Sequence, residues 1–124
     1  QTSELITGLE LHFPQAKPSR QYFRKVGTRA AQAISKTVAA GLLWLGKDRR
    51  VAEIRFALGS VAPTVKRLKT VEEFLSKKKL APENVNEACH LVAKDISPID
   101  DIRSTREYRL YVSRQLLRQF LEDQ

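Results

Sequence analysis

Methionine is absent, cysteine occurs once, and glycine only five times in 124 residues. No apolar run approaches the roughly 18 residues that a membrane span needs, so no membrane partner is expected. The lone Cys89 cannot close an internal disulfide and fits a reducing, cytoplasmic compartment. With His90 beside it and His12 the only other histidine, there are too few ligands for a zinc site, and no metal site is expected. Gly8, Gly27, Gly41, Gly46 and Gly59 never cluster as G-x-G, which argues against a backbone cradle for phosphate. The serines lack a histidine at any recognisable nucleophile motif. A chain that opens on Gln1 without a basic-then-apolar leader reads as a fragment or processed product. By itself it is expected to bind rather than catalyse, with no catalytic residue of its own.

What remains is one domain's worth of chain, 42% hydrophobic and 29% charged, the balance of a soluble globular protein. A net charge of +8 raises the question of nucleic acid, because Lys and Arg neutralise phosphates. The basic residues are nevertheless spread along the chain. The compact run Lys77-Lys78-Lys79 falls in an expected connection, and no nucleic-acid module is recognisable. Nucleic acid is therefore not expected as a partner, and the surplus charge suits an acidic partner surface.

From Glu4 to Phe13 the chain alternates, with Leu5, Thr7, Leu9, Leu11 and Phe13 one way and Ile6, Gly8, Glu10 and His12 the other. That period predicts a half-buried strand ended by Pro14 and Pro18. Arg20 to Val26 fits a second, short strand. Ser35 to Leu45 and Ala52 to Leu58, joined by Gly46-Lys47-Asp48-Arg49-Arg50, predict a hairpin. Thr70 with Glu73 has capping-box spacing, and Pro82 suits a helix first turn ahead of the stripe Val85, Ala88, Cys89, Val92 and Ile96. Ser104 with Glu107 repeats the capping-box spacing before a last helix, about Thr105 to Leu121, whose face is Tyr108, Val112, Leu116, Leu117, Phe120 and Leu121. Strands first and helices afterwards predict an α+β domain: an antiparallel sheet of three or four strands with about three helices on one face. Asp100 and Asp101 beside Arg103 read as a structural ion-pair corner, not as an acid–base pair.

Three ordered blocks carry a resemblance. Asp95-Ile96-Ser97-Pro98-Ile99-Asp100-Asp101-Ile102-Arg103-Ser104-Thr105, with Tyr108-Arg109, looks like the end of the flavin-binding medium subunit of the molybdenum hydroxylases. Phe23 to Ser35 is similar to that family's Lys-x-Gly-x-Arg-x-Ala-x-x-Ile segment. Ile54 to Thr64 resembles its strand followed by Gly-Gly-Val-Ala-Pro-Thr-Pro, with Ser60 in place of the second glycine and Val65 in place of the last proline. The likeness runs from about Glu4 to Leu121, and the family includes xanthine dehydrogenase and carbon monoxide dehydrogenase.

The resemblance implies that residues 1–124 are the C-terminal domain of an FAD subunit whose larger flavin-binding region is not in this chain. It implies FAD shared with that region, and partner subunits carrying iron–sulfur (2Fe-2S) clusters and a molybdenum cofactor. Electrons would pass from those clusters through FAD to NAD or another acceptor. Leu5 and Ile6 match a position packed near the flavin ring, and Lys25 matches a lysine placed near the flavin. A cation there favours the electron-rich reduced flavin. Outside the resemblance, the alternative is a free-standing basic domain that binds a protein or nucleic-acid partner.

Overall fold

The computed structural model describes residues 4–12, 14–29 and 33–122. Its strands are β1 (Arg20–Val26), β2 (Thr37–Leu45), β3 (Val51–Gly59) and β4 (Lys66–Arg67). Three helices follow: α1 (Lys69–Leu75), α2 (Pro82–Asp95) and α3 (Arg106–Glu122). The sheet order is β1-β2-β3-β4, antiparallel throughout, so the expected α+β architecture is the one formed.

The hairpin follows from its turn and its alternation. Gly46 N–H donates to the Arg50 carbonyl at 2.8 Å, Asp48 Oδ1 accepts from Arg50 N–H at 3.1 Å, and Arg49 takes the left-handed conformation at φ 58°. Thr37, Ala39, Gly41 and Leu43 of β2 face inward and are buried, as are Ile54, Phe56 and Leu58 of β3. A bulge between Trp44 and Leu45 pairs them with Glu53 and Val51 and skips Ala52. The extra residue restores the phase, so that Val51 is buried too.

Helices cover one face only. Val71 and Leu75 of α1, the predicted stripe of α2, and Val112, Leu116, Leu117, Phe120 and Leu121 of α3 join the inward strand residues in one core. Sheet and helix approach closely at Gly41, where an added Cβ would lie 2.7 Å from Phe56 Cδ2 and 3.0 Å from Phe120 Cζ. Glycine is thus what lets α3 lie this close to β2. Tyr22 completes an aromatic trio there, its ring 5.6 Å from Phe120, while its hydroxyl donates to Gln119 Oε1 at 2.8 Å. Asp95, at the end of α2, accepts from Thr70 N–H at 3.1 Å and from Thr70 Oγ1 at 2.7 Å, satisfying a donor at the open start of α1.

Several expectations need correction. Glu4 to His12 forms no strand among the described residues, where pairing begins at Arg20, and Phe13 lies outside them. Alternation supplies one apolar face, but a strand also needs a paired neighbour, and the segment pairs with neither edge of this sheet. Neither predicted capping box forms. The Thr70 hydroxyl is spent as a donor to Asp95, and Leu68, not Thr70, precedes the helix with its side chain in the core. At α3 it is Thr105 Oγ1 that accepts from Tyr108 N–H, at 3.2 Å, while Ser104 N–H donates to Asp101. Tyr108 is exposed, under the Lys36 ammonium at 5.0 Å, because the buried position on that turn belongs to Arg109.

Candidate functional site

The face of the sheet without helices is built by the outward half of each strand's alternation. Register sets Phe23 opposite Ala40 and Lys25 opposite Val38, with Leu42 beside Gln21 and Arg55. Gln21, Phe23, Ala40, Leu42, Arg55, Ala57 and Arg67 line an open, mainly apolar concavity of about 500 Å³, over which Phe23 is 72% exposed, while Lys25 and Val38 lie beyond its lining. Its two arginines are held internally. Arg55 Nε donates to Glu53 Oε1 at 2.5 Å and its guanidinium lies 5.4 Å from the Trp44 ring. Arg67 is clamped by both carboxylate oxygens of Glu72, which hold its guanidinium more firmly protonated than usual. The Lys25 side chain, by contrast, makes no ion pair or hydrogen bond among the described residues and is exposed.

Leu5 and Ile6 lie in the extended segment before the sheet. Leu5, Ile6, Leu9 and Leu11 are between 77% and 87% exposed. Glu10 and His12, two residues apart, meet side by side at 3.6 Å, as the period of an extended chain requires. The connection to β1 is pinned at the far end of β2: Trp44 Nε1 donates to the Ala16 carbonyl at 2.9 Å, and Leu45 N–H donates to Ser19 Oγ at 3.0 Å. Lys25 sits at the Val38 end of the same strand, roughly 20 Å away along it. The pinned connection thus leads to one end of the sheet and Lys25 stands at the other.

The charged corner is a structural device, with partners different from those expected. Arg109, buried, donates through Nη1 to the carbonyls of Lys36 at 2.8 Å and Ser60 at 2.7 Å, and through Nη2 to both oxygens of Asp101 at 2.8 Å. Arg103 contributes only its backbone N–H to Asp101, at 2.8 Å. That bond and the Arg109 guanidinium hold the Asp101 carboxyl below the usual carboxylate range. Asp100 is held down likewise by the backbone N–H and guanidinium of Arg106. Carboxylates kept ionised this way cannot serve as proton donors near neutrality. In the sequence analysis Arg109 is assigned no role of its own. The signal was its spacing: Arg109 falls on the same helical face as Val112, Leu116 and Phe120, and a cation on a buried stripe needs partners.

Burial pushes the Cys89 thiol up, in keeping with an unreactive core residue. Among the described residues no three His, Cys, Asp or Glu side chains gather as metal ligands, and no helix is long and apolar enough to cross a membrane.

Known proteins agree on what this domain is. Residues 21–124 match the family model of the CO dehydrogenase flavoprotein C-terminal domain. The chain is 32% identical over 71 residues to the nicotine 6-hydroxylase medium subunit of Paenarthrobacter nicotinovorans, covering 57% of this chain and 25% of that protein. It shares the fold of carbon monoxide dehydrogenase from Hydrogenophaga pseudoflava, at TM-score 0.75 and 24% identity over 88% of this chain and 37% of that one. Quinoline 2-oxidoreductase from Pseudomonas putida 86 is similar at TM-score 0.71 and 22% identity, over 82% and 35%. The chain thus spans about a quarter of the curated relative and little more than a third of the solved ones. Since the family match runs from β1 through the end of α3, the chain belongs to the CO dehydrogenase flavoprotein C-terminal domain family, the C-terminal domain of molybdenum hydroxylase medium subunits.

Proposed function

We propose that this domain closes one side of the flavin site of a molybdenum-dependent hydroxylase or dehydrogenase, xanthine dehydrogenase-like in its electron route. In this reading FAD is held mainly by a flavin-binding domain of the same subunit. Iron–sulfur (2Fe-2S) and molybdenum-cofactor subunits or domains feed it electrons, which pass on to NAD or another acceptor in the cytoplasm. The single supporting observation is the helix-free face of the sheet, apolar and open, with the Lys25 ammonium on it unpaired among the described residues.

The residues present suit part of the cofactor. None of the described glycines has a positive φ, and they stand apart in the sequence, so a pyrophosphate cradle is not supplied here. An apolar surface and an uncommitted ammonium suit the edge or face of a flat, electron-accepting ring. The flavin, when bound, supplies the two-electron and one-electron exchange; the chain supplies placement, exclusion of water and field. Leu5 and Ile6 would give apolar contact with the ring. Lys25 would stabilise the negative charge that the ring gains on reduction, an effect largest where water is excluded.

Lys25→Gln in the flavin-bearing subunit tests this. The flavin midpoint should fall by about 30 mV or more, the two-electron equivalent of roughly 1.4 kcal/mol, and reduction of the acceptor should slow with flavin content preserved. An unchanged midpoint and unchanged turnover would remove the role given to Lys25.

A further inference from the structure

Two short segments far apart in sequence meet at the end of the sheet remote from Lys25. The hairpin turn over residues 46–50 and the run Lys77-Lys78-Lys79 are bridged at Arg50 and Lys79. Val51 N–H donates to the Lys78 carbonyl at 2.9 Å, Lys77 N–H to the Val51 carbonyl at 2.9 Å, and Arg50 Nη1 to the Lys77 carbonyl at 3.1 Å. This contact gathers Lys47, Arg49, Lys77 and Lys79 at one corner. All four are exposed, and none of their side chains meets a carboxylate among the described residues. Asp48, the carboxylate within the turn, is taken by Arg50 at 2.8 Å. Two of the four also hold left-handed backbone, Arg49 at φ 58° and Lys77 at φ 63°, a conformation that glycine adopts without strain. Crowded like charges and strained long side chains both work against the fold, so the fold alone does not call for them.

A concavity of about 520 Å³ opens beside this corner. Arg49 and Lys79 line it together with Arg20, whose Nη1 donates to the Phe120 carbonyl. Leu45, Leu80 and the nearly buried Leu121 make its lining apolar between these cations. Its two carboxylates, Asp48 and Glu122, are occupied by Arg50 and Arg118. We propose that this basic concavity docks an acidic segment of another subunit of the assembled enzyme, one that carries an apolar side chain among its carboxylates. Such a segment uses both halves of the lining: its acids meet the unmatched cations and its apolar group covers the leucines. A free phosphate would leave the leucines uncovered, and a nucleic-acid strand would find no aromatic ring here on which to stack a base. The concavity stands roughly 20 Å along the strand from Lys25, so a polypeptide seated in it holds the assembly together without covering the flavin side. This inference rests on the proposed function for the identity of the assembly.

Charge reversal in the intact subunit, mixed with its partner subunits, tests it. Arg49→Glu combined with Lys79→Glu should raise the dissociation constant of assembly, followed by analytical ultracentrifugation, at least about tenfold and flatten its dependence on salt. Lys69→Glu combined with Lys94→Glu makes the same change in charge at the other end of α2 and should alter neither. Arg49→Gly removes the charge while relieving the strained backbone, and it should weaken assembly in the same direction. Acetylation of lysines reports the place: Lys77 and Lys79 should react in the free subunit and be shielded in the assembled enzyme. Assembly unchanged by Arg49→Glu with Lys79→Glu overturns the proposal, whether or not binding of single-stranded DNA is lost with it. Shielding of Lys79 already in the free subunit also overturns it, since that marks the flavin-binding region of the same chain as the occupant. Flavin absorbance on the same samples separates the two ideas. Bound flavin with assembly indifferent to the reversal removes the basic corner alone; assembly weakened by the reversal, in a subunit without flavin, keeps the corner and removes the proposed function.

Discussion

At the scale of single residues, the consequential side chain is Arg109. Its guanidinium satisfies two carbonyls and a carboxylate from three separate segments, so shortening it strands all of them at once. Arg109→Met should lower stability by on the order of 2 kcal/mol or more, read as a drop in Tm, whereas Arg106→Met, at the exposed pair, should change it little. Acid should act on the same corner. Asp100 and Asp101 are held below the ordinary carboxylate range in the folded chain, so their contribution is complete above the unfolded value near 4. It is lost as pH falls through the lowered folded values. A pH titration of Tm should therefore be level from neutrality down to about pH 5 and then fall, with a shallower fall in Arg109→Met.

Among the elements, β2 shows how far sequence could be read. Small residues alternating with larger ones, a polar turn and a partner strand made the hairpin legible, and Pro82 with its stripe made α2 legible. Glu4–His12 had an equally good strand pattern, yet no strand forms, because alternation says which face wants burial and nothing about whether an edge is at hand. The two capping boxes failed for a related reason. Spacing cannot show that Asp95 reaches across from another helix, or that Thr105 does what Ser104 was expected to do. Of the site, the positions of Leu5, Ile6 and Lys25 came from family likeness; their open surroundings could be seen only in three dimensions. Gly41 marks a tight contact between the layers. Gly41→Ala should cost about 1–3 kcal/mol, because Phe56 and Phe120 must both give way, and far-ultraviolet circular dichroism during heating would show it as an earlier transition with unchanged native signal.

The whole molecule is a two-layer body with one finished side. Helices fill the inner face of the sheet with apolar side chains, while the outer face carries Phe23, Leu42 and a cation in the open. Arg50, Arg55, Arg67, Arg106, Arg109 and Arg118 are each matched to a carboxylate within the domain, and because such pairs cancel, the net charge of +8 rests on the other basic residues. The arginine corner, finally, makes three connections mechanically one. The segment ahead of β2, the turn after β3 and the loop ahead of α3 meet at Lys36, Ser60 and Asp101, and Ser97 N–H adds a bond to Val61 at 3.0 Å. A displacement imposed on any one of them is shared by the other two. The run from Ile99 to Thr105 is therefore not a portable part: transplanted alone, it would arrive without the carbonyls that give its arginine anchor a seat.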